Sequence, residues 1–354
     1  MRYECPEYVL RFKCSADKCT DNCCIGWEIG IDGETSEKYK RMSGALGEKI
    51  RKNLDTGGTY CTFLLGDDRR CPMLDENNLC EIIKQRGECD ICEICREHPR
   101  FYNVLEDRVE WGVGLSCEEA ARLILECEQS TSVRTEREDA ASVPCDGELL
   151  ALLLFARGRI YGLLENSDLR FNDRIKAILI YAEALNDAVF EGNYKCFSPE
   201  DPSKSARKLN TGGVFRASSA YADMIRTLDS LEFLDTEFKE RLRRVAHDIS
   251  NSPLPYPDKS SEARLTRLFR YFVYRYFITA VFDSDPLSKV KLAIVLTLTV
   301  HALTKNSEST DEWVIAAKAL SKEAEYNEEN LELIFEMAYT EPSLSKDSLF
   351  TALT

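Results

Sequence analysis

Residues 14–27 read Cys14-Ser-Ala-Asp-Lys-Cys19-Thr-Asp-Asn-Cys23-Cys24-Ile-Gly-Trp27, and this stretch decides how the chain divides. Outward from it lie Cys71-Pro-Met-Leu74 with Cys80, then Cys89-x2-Cys92-x2-Cys95 followed by Arg-Glu-His98-Pro99-Arg100, then Leu115-Ser-Cys117. Thirteen of the 15 cysteines precede residue 128, and only Cys145 and Cys196 follow. The N-terminal stretch has no apolar signal region and carries acids early, which argues against export. Without export, an odd cysteine count and an adjacent pair argue against a disulfide framework. In a reducing cytoplasm, clustered cysteines read as metal ligands or redox groups.

Two cysteines spaced by two residues can aim both thiolates at one centre through a tight turn, in zinc knuckles and iron–sulfur loops alike. Adjacent residues in extended chain point to opposite sides, so Cys23 and Cys24 serve different neighbourhoods. A ferredoxin run would need a cysteine at position 99, which is Pro99. The radical-enzyme signature starts at Cys19 and Cys23 but meets Gly26 at its third position. Zinc fingers would need histidines, and the chain has three, His98, His247 and His301. The cysteines thus bind metal in a pattern of their own. Spacing leaves zinc and iron–sulfur both open, while many thiolates and few imidazoles favour soft, sulfur-rich chemistry.

The architecture expected is mainly α: an irregular Cys-rich metal-binding N-terminal domain with short strands (1–129), a polar linker (130–145) and an α-helical domain (146–354). Within the first, Tyr8–Phe12, Trp27–Ile31 and Arg108–Leu115 read as strands, and Thr35–Lys52 and Glu118–Gln129 as helices. The apolar spacing of Ile175, Ile178, Leu179, Ala182 and Leu185 typifies the second. It predicts helices over 147–165, 171–190, 217–228, 235–250, 262–282, 287–305, 310–325, 327–339 and 344–353. The longest uncharged apolar runs, near 276–282 and 292–303, fall short of the roughly 20 residues a membrane span needs. A formal charge of −15 lacks the basic footprint for nucleic acid or an anionic membrane, but suits a lysine-bearing protein partner.

These stretches, with Tyr271-Phe-Val-Tyr-Arg275-Tyr-Phe further on, resemble the flagellin lysine-N-methylase family. The likeness is specific across 1–125 and weaker to about residue 305; the front part is also similar to small zinc- or iron-chelating cysteine domains. The resemblance implies a cytoplasmic enzyme that transfers methyl groups from S-adenosylmethionine to lysine ε-amines of flagellin, with a 4Fe–4S cluster. It carries over Cys14, Cys19, Cys23, Cys24, Cys71, Cys80, Cys92, Cys95 and Cys117 as metal-binding positions, with zinc as the alternative metal. On spacing alone, Cys19, Cys23, Cys92 and Cys95 are the first choice for a cluster. Cys89 and His98 depart from the family pattern.

Methylating lysine needs a neutral amine, since an ammonium has no lone pair, so the site must desolvate or deprotonate it. Candidate assisting groups near the motifs are Tyr102, Glu118 and Glu119. No Gly-x-Gly loop follows a strand, so the usual dinucleotide-type cofactor site is absent. The cofactor is expected where the two domains meet, with Arg100, Arg275 and Trp27 as candidate contacts. Two other readings use the same residues: a non-catalytic zinc-scaffolded protein-binding module, and a redox accessory protein.

Overall fold

A computed structural model describes the chain except residues 59, 128–131, 137–141, 196 and 209–213, and the side chains of 207, 208, 214 and 215. It is 61% helical, so the fold is mainly α. Strand β1 (Arg2–Pro6) opens the chain. Glu7–Arg11 then form a 3-10 turn rather than the strand expected over Tyr8–Phe12, because adjacent Tyr8 and Val9 both enter the core, which strand alternation forbids. Strands β2 (Gly30–Ile31), β3 (Leu54–Asp55) and β4 (Cys61–Phe63) make a small antiparallel sheet in the order β2-β4-β3. The single helix expected over Thr35–Lys52 is two, α1 (Gly33–Arg41) and α2 (Gly44–Lys52). Ser43 is extended and Gly44 sits at φ +81°, a conformation other residues rarely adopt, and this breaks the run.

Helices α3 (Glu81–Arg86) and α4 (Glu93–Glu97) carry the middle cysteines at their edges. Strands β5 (Arg100–Val104) and β6 (Arg108–Val113) follow, then helix α5 (Glu118–Glu126) and strand β7 (Ser132–Glu136). They form a second sheet in the order β5-β6-β1-β7, with β1 parallel to β6 and the other pairs antiparallel. Residues 128–129 of the expected helix Glu118–Gln129 lie outside the described residues. Of the expected linker 130–145, residues 132–136 form β7, and 130–131 and 137–141 lie outside the described residues.

The helical body comprises α6 (Gly147–Leu164), α7 (Phe171–Phe190), α8 (Ser203–Lys208), α9 (Val214–Thr227), α10 (Thr236–Asn251) and α11 (Lys259–Tyr276). It continues with α12 (Ala280–Asp283), α13 (Pro286–Thr304), α14 (Thr310–Ala324), α15 (Glu328–Thr340) and α16 (Lys346–Ala352). Side chains of Asp146, Asp235, Asp258, Asp285 and Ser309 accept the first free backbone N–H groups and so fix where helices begin. The helix expected over 262–282 starts earlier, on the Asp258 cap, and ends at Tyr276 in a 3-10 turn before α12. Helix α13 is long and apolar enough to cross a membrane by length and composition, although its uncharged runs alone are too short; all of it is buried at the centre of the helical body.

Two apolar clusters organise the interior. The smaller joins Ile29, Tyr39, Ile50, Phe63, Met73 and Ile82 with Cys71 and Cys92. The larger runs through the helices and takes in Tyr8, Val9, Leu105, Val113, Leu115 and the buried face of α5. The second sheet is also tied to the helices by a buried pair. Arg157 of α6 donates to both Glu110 oxygens on β6, at 2.5 and 2.7 Å. Gly114, just past β6, is a close approach, where a Cβ would run into the Tyr326 hydroxyl and the Arg275 guanidinium.

Candidate functional site

The stretch from Phe12 to Glu28 contains a 3-10 turn, Ala16–Lys18, a second turn closed by Ile25 N–H on the Asn22 carbonyl at 3.1 Å, and a bridge from Ile25 to Arg70. It is held from two sides. Glu118, in the first turn of α5, accepts from the Thr20 N–H at 2.9 Å and the Thr20 hydroxyl at 2.6 Å. Lys318 and Lys322, one turn apart on α14, each lie 2.9 Å from Asp21 Oδ2, and Lys318 Nζ also reaches the Asp21 carbonyl oxygen at 2.9 Å. Burial pushes the Asp21 carboxyl up, but the two ammonium groups more than offset this and its pKa falls. Asp32 fixes the other cysteine turn: one oxygen caps α1 through Thr35 N–H at 2.8 Å, the other accepts Glu93 N–H at 2.9 Å, between Cys92 and Cys95.

These anchors leave an open cavity of about 900 Å³. Cys14, Cys19, Cys23, Cys24, Cys71, Cys80, Cys92, Cys95 and Cys117 all lie on its wall; Cys5, Cys61, Cys89 and Cys127 do not. Cys92 and Cys95 are in thiol contact at 3.3 Å. The Cys95 thiol serves Cys92, whose pKa falls while that of Cys95 rises. Cys24 does the same for Cys23, which comes down to about 7. Burial pushes Cys71 and Cys117 up to about 11, and raises Cys80 and Cys19. Thiolates bind metals and thiols do not, so metal binding here would release protons. Among the described residues no three His, Cys, Asp or Glu side chains converge tightly enough for a single metal ion. Cys95 has Cys92, Cys24 and Cys71 as neighbours, a different grouping from the Cys19, Cys23, Cys92 and Cys95 set chosen on spacing.

The other sequence candidates divide. Trp27, Arg100, Tyr102 and Glu118 line the cavity; Glu119 and Arg275 do not. The Arg100 guanidinium lies over the Phe12 ring at 5.6 Å and donates to the Arg96 carbonyl. The Tyr102 hydroxyl donates to Glu97 at 2.8 Å. Arg275 is buried behind the wall, 3.2 Å from Glu325, and donates to the Tyr271 hydroxyl at 2.7 Å. It packs on Phe101, Tyr276 and Tyr326, so its contacts are those of a structural cation. Glu118 spends one oxygen on Thr20, which makes it an anchor for the Cys19 loop.

Sequence reasoning missed Lys318, Lys322 and Tyr326, the groups of the helical body that back the cavity. Trp27 meets His98 edge-on at 5.8 Å and Tyr326 at 5.2 Å, with Lys322 over its indole. Burial, helped by the charges of Lys322 and Lys318, holds His98 down at about 4, so it is neutral near pH 7; its buried Nε2 has no hydrogen-bond partner. Every residue that lines this cavity lies between Tyr3 and Glu118. The helical body meets it indirectly, through Lys318, Lys322 and Tyr326. A smaller groove of about 450 Å³ does sit at the seam, where Thr20, Asp21 and Glu118 face Asp235, Arg241, Arg244 and Lys318.

No family model and no solved structure matches the chain. It is similar to the flagellar biosynthetic protein FliU of Salmonella muenchen, 31% identical over 129 residues that make up 34% of this chain and 75% of FliU. It is also similar to lysine-N-methylases of Salmonella typhimurium, 31% identical, and Salmonella choleraesuis, 30% identical. In each of these, the match again takes 34% of this chain but spans only 31% of the relative. With three quarters of FliU covered at that identity, the chain belongs to the flagellin lysine-N-methylase family.

Proposed function

We propose that this protein is a cytoplasmic methyltransferase that moves a methyl group from S-adenosylmethionine to lysine ε-amines of flagellin or a flagellin-like protein, and that it depends on an iron–sulfur cluster held by the cavity cysteines. The observation that carries the reading is the convergence of the family's nine cysteines on one open cavity, in a chain whose relatives are named lysine-N-methylases. The thiol-rich wall suits soft metals, and the residues fit a group larger than one ion. A zinc ion, with Zn–S bonds of about 2.3 Å, needs its four ligands drawn close together. Among the described residues, the Cys92 and Cys95 thiols touch and the family cysteines spread around a space of about 900 Å³.

When bound, S-adenosylmethionine supplies an electrophilic methyl group and a 4Fe–4S cluster supplies redox-active iron. The chain's own residues do the rest. Trp27 and the neutral imidazole of His98 offer a substrate lysine a surface with little hydration, which favours the uncharged amine. Arg100 offers a cation on the same wall for a carboxylate of cofactor or substrate. The test is transfer of labelled methyl groups from S-adenosylmethionine to flagellin by anaerobically purified protein. Label on lysines, lost in Cys95→Ser, is the expected result. A cluster-loaded protein that labels nothing would sink the activity, and a colourless zinc protein would sink the cluster.

A further inference from the structure

The nine cavity cysteines do not form one ring. Cys71 and Cys92 belong to the small apolar core, and Cys24, Cys80 and Cys95 pack against it. Cys117 packs against the large core of the helical body instead. Cys14 and Cys23 are exposed and Cys19 is half-buried, and none of the three joins either core. A thiol link crosses this divide, from Cys23 to Cys24, and the other thiol neighbours fall on one side of it or the other. Cys71 and Cys24 each have Cys80 beside them, and Cys95 has Cys92, Cys24 and Cys71. Cys117 has Cys23 and Cys14. The divide runs between the adjacent residues Cys23 and Cys24, whose thiols touch across it.

We propose that these cysteines build two metal centres: an inner one in the small core, drawing on Cys24, Cys71, Cys80, Cys92 and Cys95, and an outer one of Cys14, Cys19, Cys23 and Cys117 at the seam with the helical body. The inference rests on the metal-binding part of the reading above, but not on methyl transfer. Four thiolates are the usual ligand set for a structural zinc ion and for an iron–sulfur cluster alike. Both are soft, thiophilic centres, and composition tells them apart. Three of the outer thiolates sit on a loop of short turns, where thiols can be gathered toward Cys117 without moving α5. The helical body holds that loop in place: Glu118, next to Cys117, grips Thr20, while Lys318 and Lys322 grip Asp21. An outer metal would therefore lock the Cys-rich segment to α5, one face to the cavity and the other toward the seam groove. Each thiol that ligates releases its proton to solvent.

The full chain, purified without oxygen, is assayed for iron, acid-labile sulfide and zinc, with absorption and EPR spectra. The same is done for Cys71→Ser, Cys117→Ser and, as a control outside the cavity, Cys89→Ser. Two separable metal pools are expected, one lost in Cys71→Ser and the other in Cys117→Ser, with Cys89→Ser retaining both. A single pool, or the same metal lost from both variants while circular dichroism stays native, would overturn the inference. Absence of any metal would overturn the metal-binding reading itself. Because serine variants can misfold, alkylation of the wild-type chain supplies an independent readout. Cys14 and Cys23 are expected to react at least about tenfold more slowly in the metal-loaded protein than after chelation, since coordination masks the thiolate. Equal rates before and after chelation would refute an outer centre.

Discussion

Replacing Glu110 by Gln removes the charge that Arg157 was buried to meet. Glu110 is 0% exposed and Arg157 8%, with two hydrogen bonds at 2.5 and 2.7 Å between them. Each charge-assisted bond is worth about 1.5–3 kcal/mol, and stranding one partner of a buried pair costs about 3–5 kcal/mol. Gln keeps one acceptor for the guanidinium, so Glu110→Gln should lose about 3 kcal/mol. Replacing both partners by apolar residues, Glu110→Leu with Arg157→Met, leaves no buried charge and should recover most of that loss. The assay is urea unfolding of metal-free protein followed by circular dichroism and by tryptophan fluorescence, to which Trp111, beside Glu110, contributes. A single variant that loses less than about 1 kcal/mol, or a double variant as unstable as the single, would refute the view that this pair couples the sheet to α6.

Three further outcomes follow from the same geometry. Glu118→Gln should retain most activity and metal, because an amide oxygen still accepts from Thr20, whereas Glu118→Ala should lose both; total loss in the Gln variant would restore Glu118 as a proton acceptor. Asp21→Asn weakens the hold of Lys318 and Lys322, with a cost of about 1–3 kcal/mol for the buried Lys318; faster amide hydrogen exchange across residues 14–24 is the readout, and unchanged exchange would count against the anchor. His301, held at about 4 by burial against an unfolded value near 6.5, contributes stability that is fully present above pH 6.5 and lost as pH falls through 4. A shift of that size corresponds to about 3 kcal/mol; His301→Gln should flatten the urea-midpoint profile between pH 6.5 and 4, and parallel profiles would show the reasoning wrong.

Much of the helical body is legible because its signals are local. Apolar residues recur at three and four, and an Asp or Ser stands just ahead of α6, α10, α11, α13 and α14. The nine cysteines are legible because spacing and family resemblance single out a set that the fold then brings to one cavity. What escapes sequence reasoning is what depends on distant partners. Strand β1 lies beside β6 by pairing Arg2 with Arg108, which no periodicity near either residue announces. Lys318 reaches Asp21 across 297 residues, and each alone is an ordinary surface charge in a helix or a loop. Arg275 interrupts a largely aromatic stretch of α11, and its reason is a carboxylate, Glu325, in the loop after α14. The break at Gly44 is local and was still missed, since helical periodicity on both sides of Ser43 outweighs one glycine until the backbone angle is known.

The placement of the cavity also explains why the proposed metal site should need so large a helical partner. All of its wall comes from the first 118 residues, whose separate apolar cluster is small. Four of the thiol-bearing positions lie outside that cluster, three of them on a loop held within itself only by short turns. Such a loop loses several kinds of freedom when its thiols are fixed, and the entropy cost is of the order of 1–2 kcal/mol per residue. External restraint lowers that cost before any metal arrives. The restraint is visible in Glu118, Lys318 and Lys322, which hold Thr20 and Asp21 from two helices, and in Tyr326 backing Trp27 and His98. The helices therefore need not touch substrate to control the chemistry. They set how far the outer cysteines can move, and a change at the seam should alter metal retention even where the cavity wall is intact.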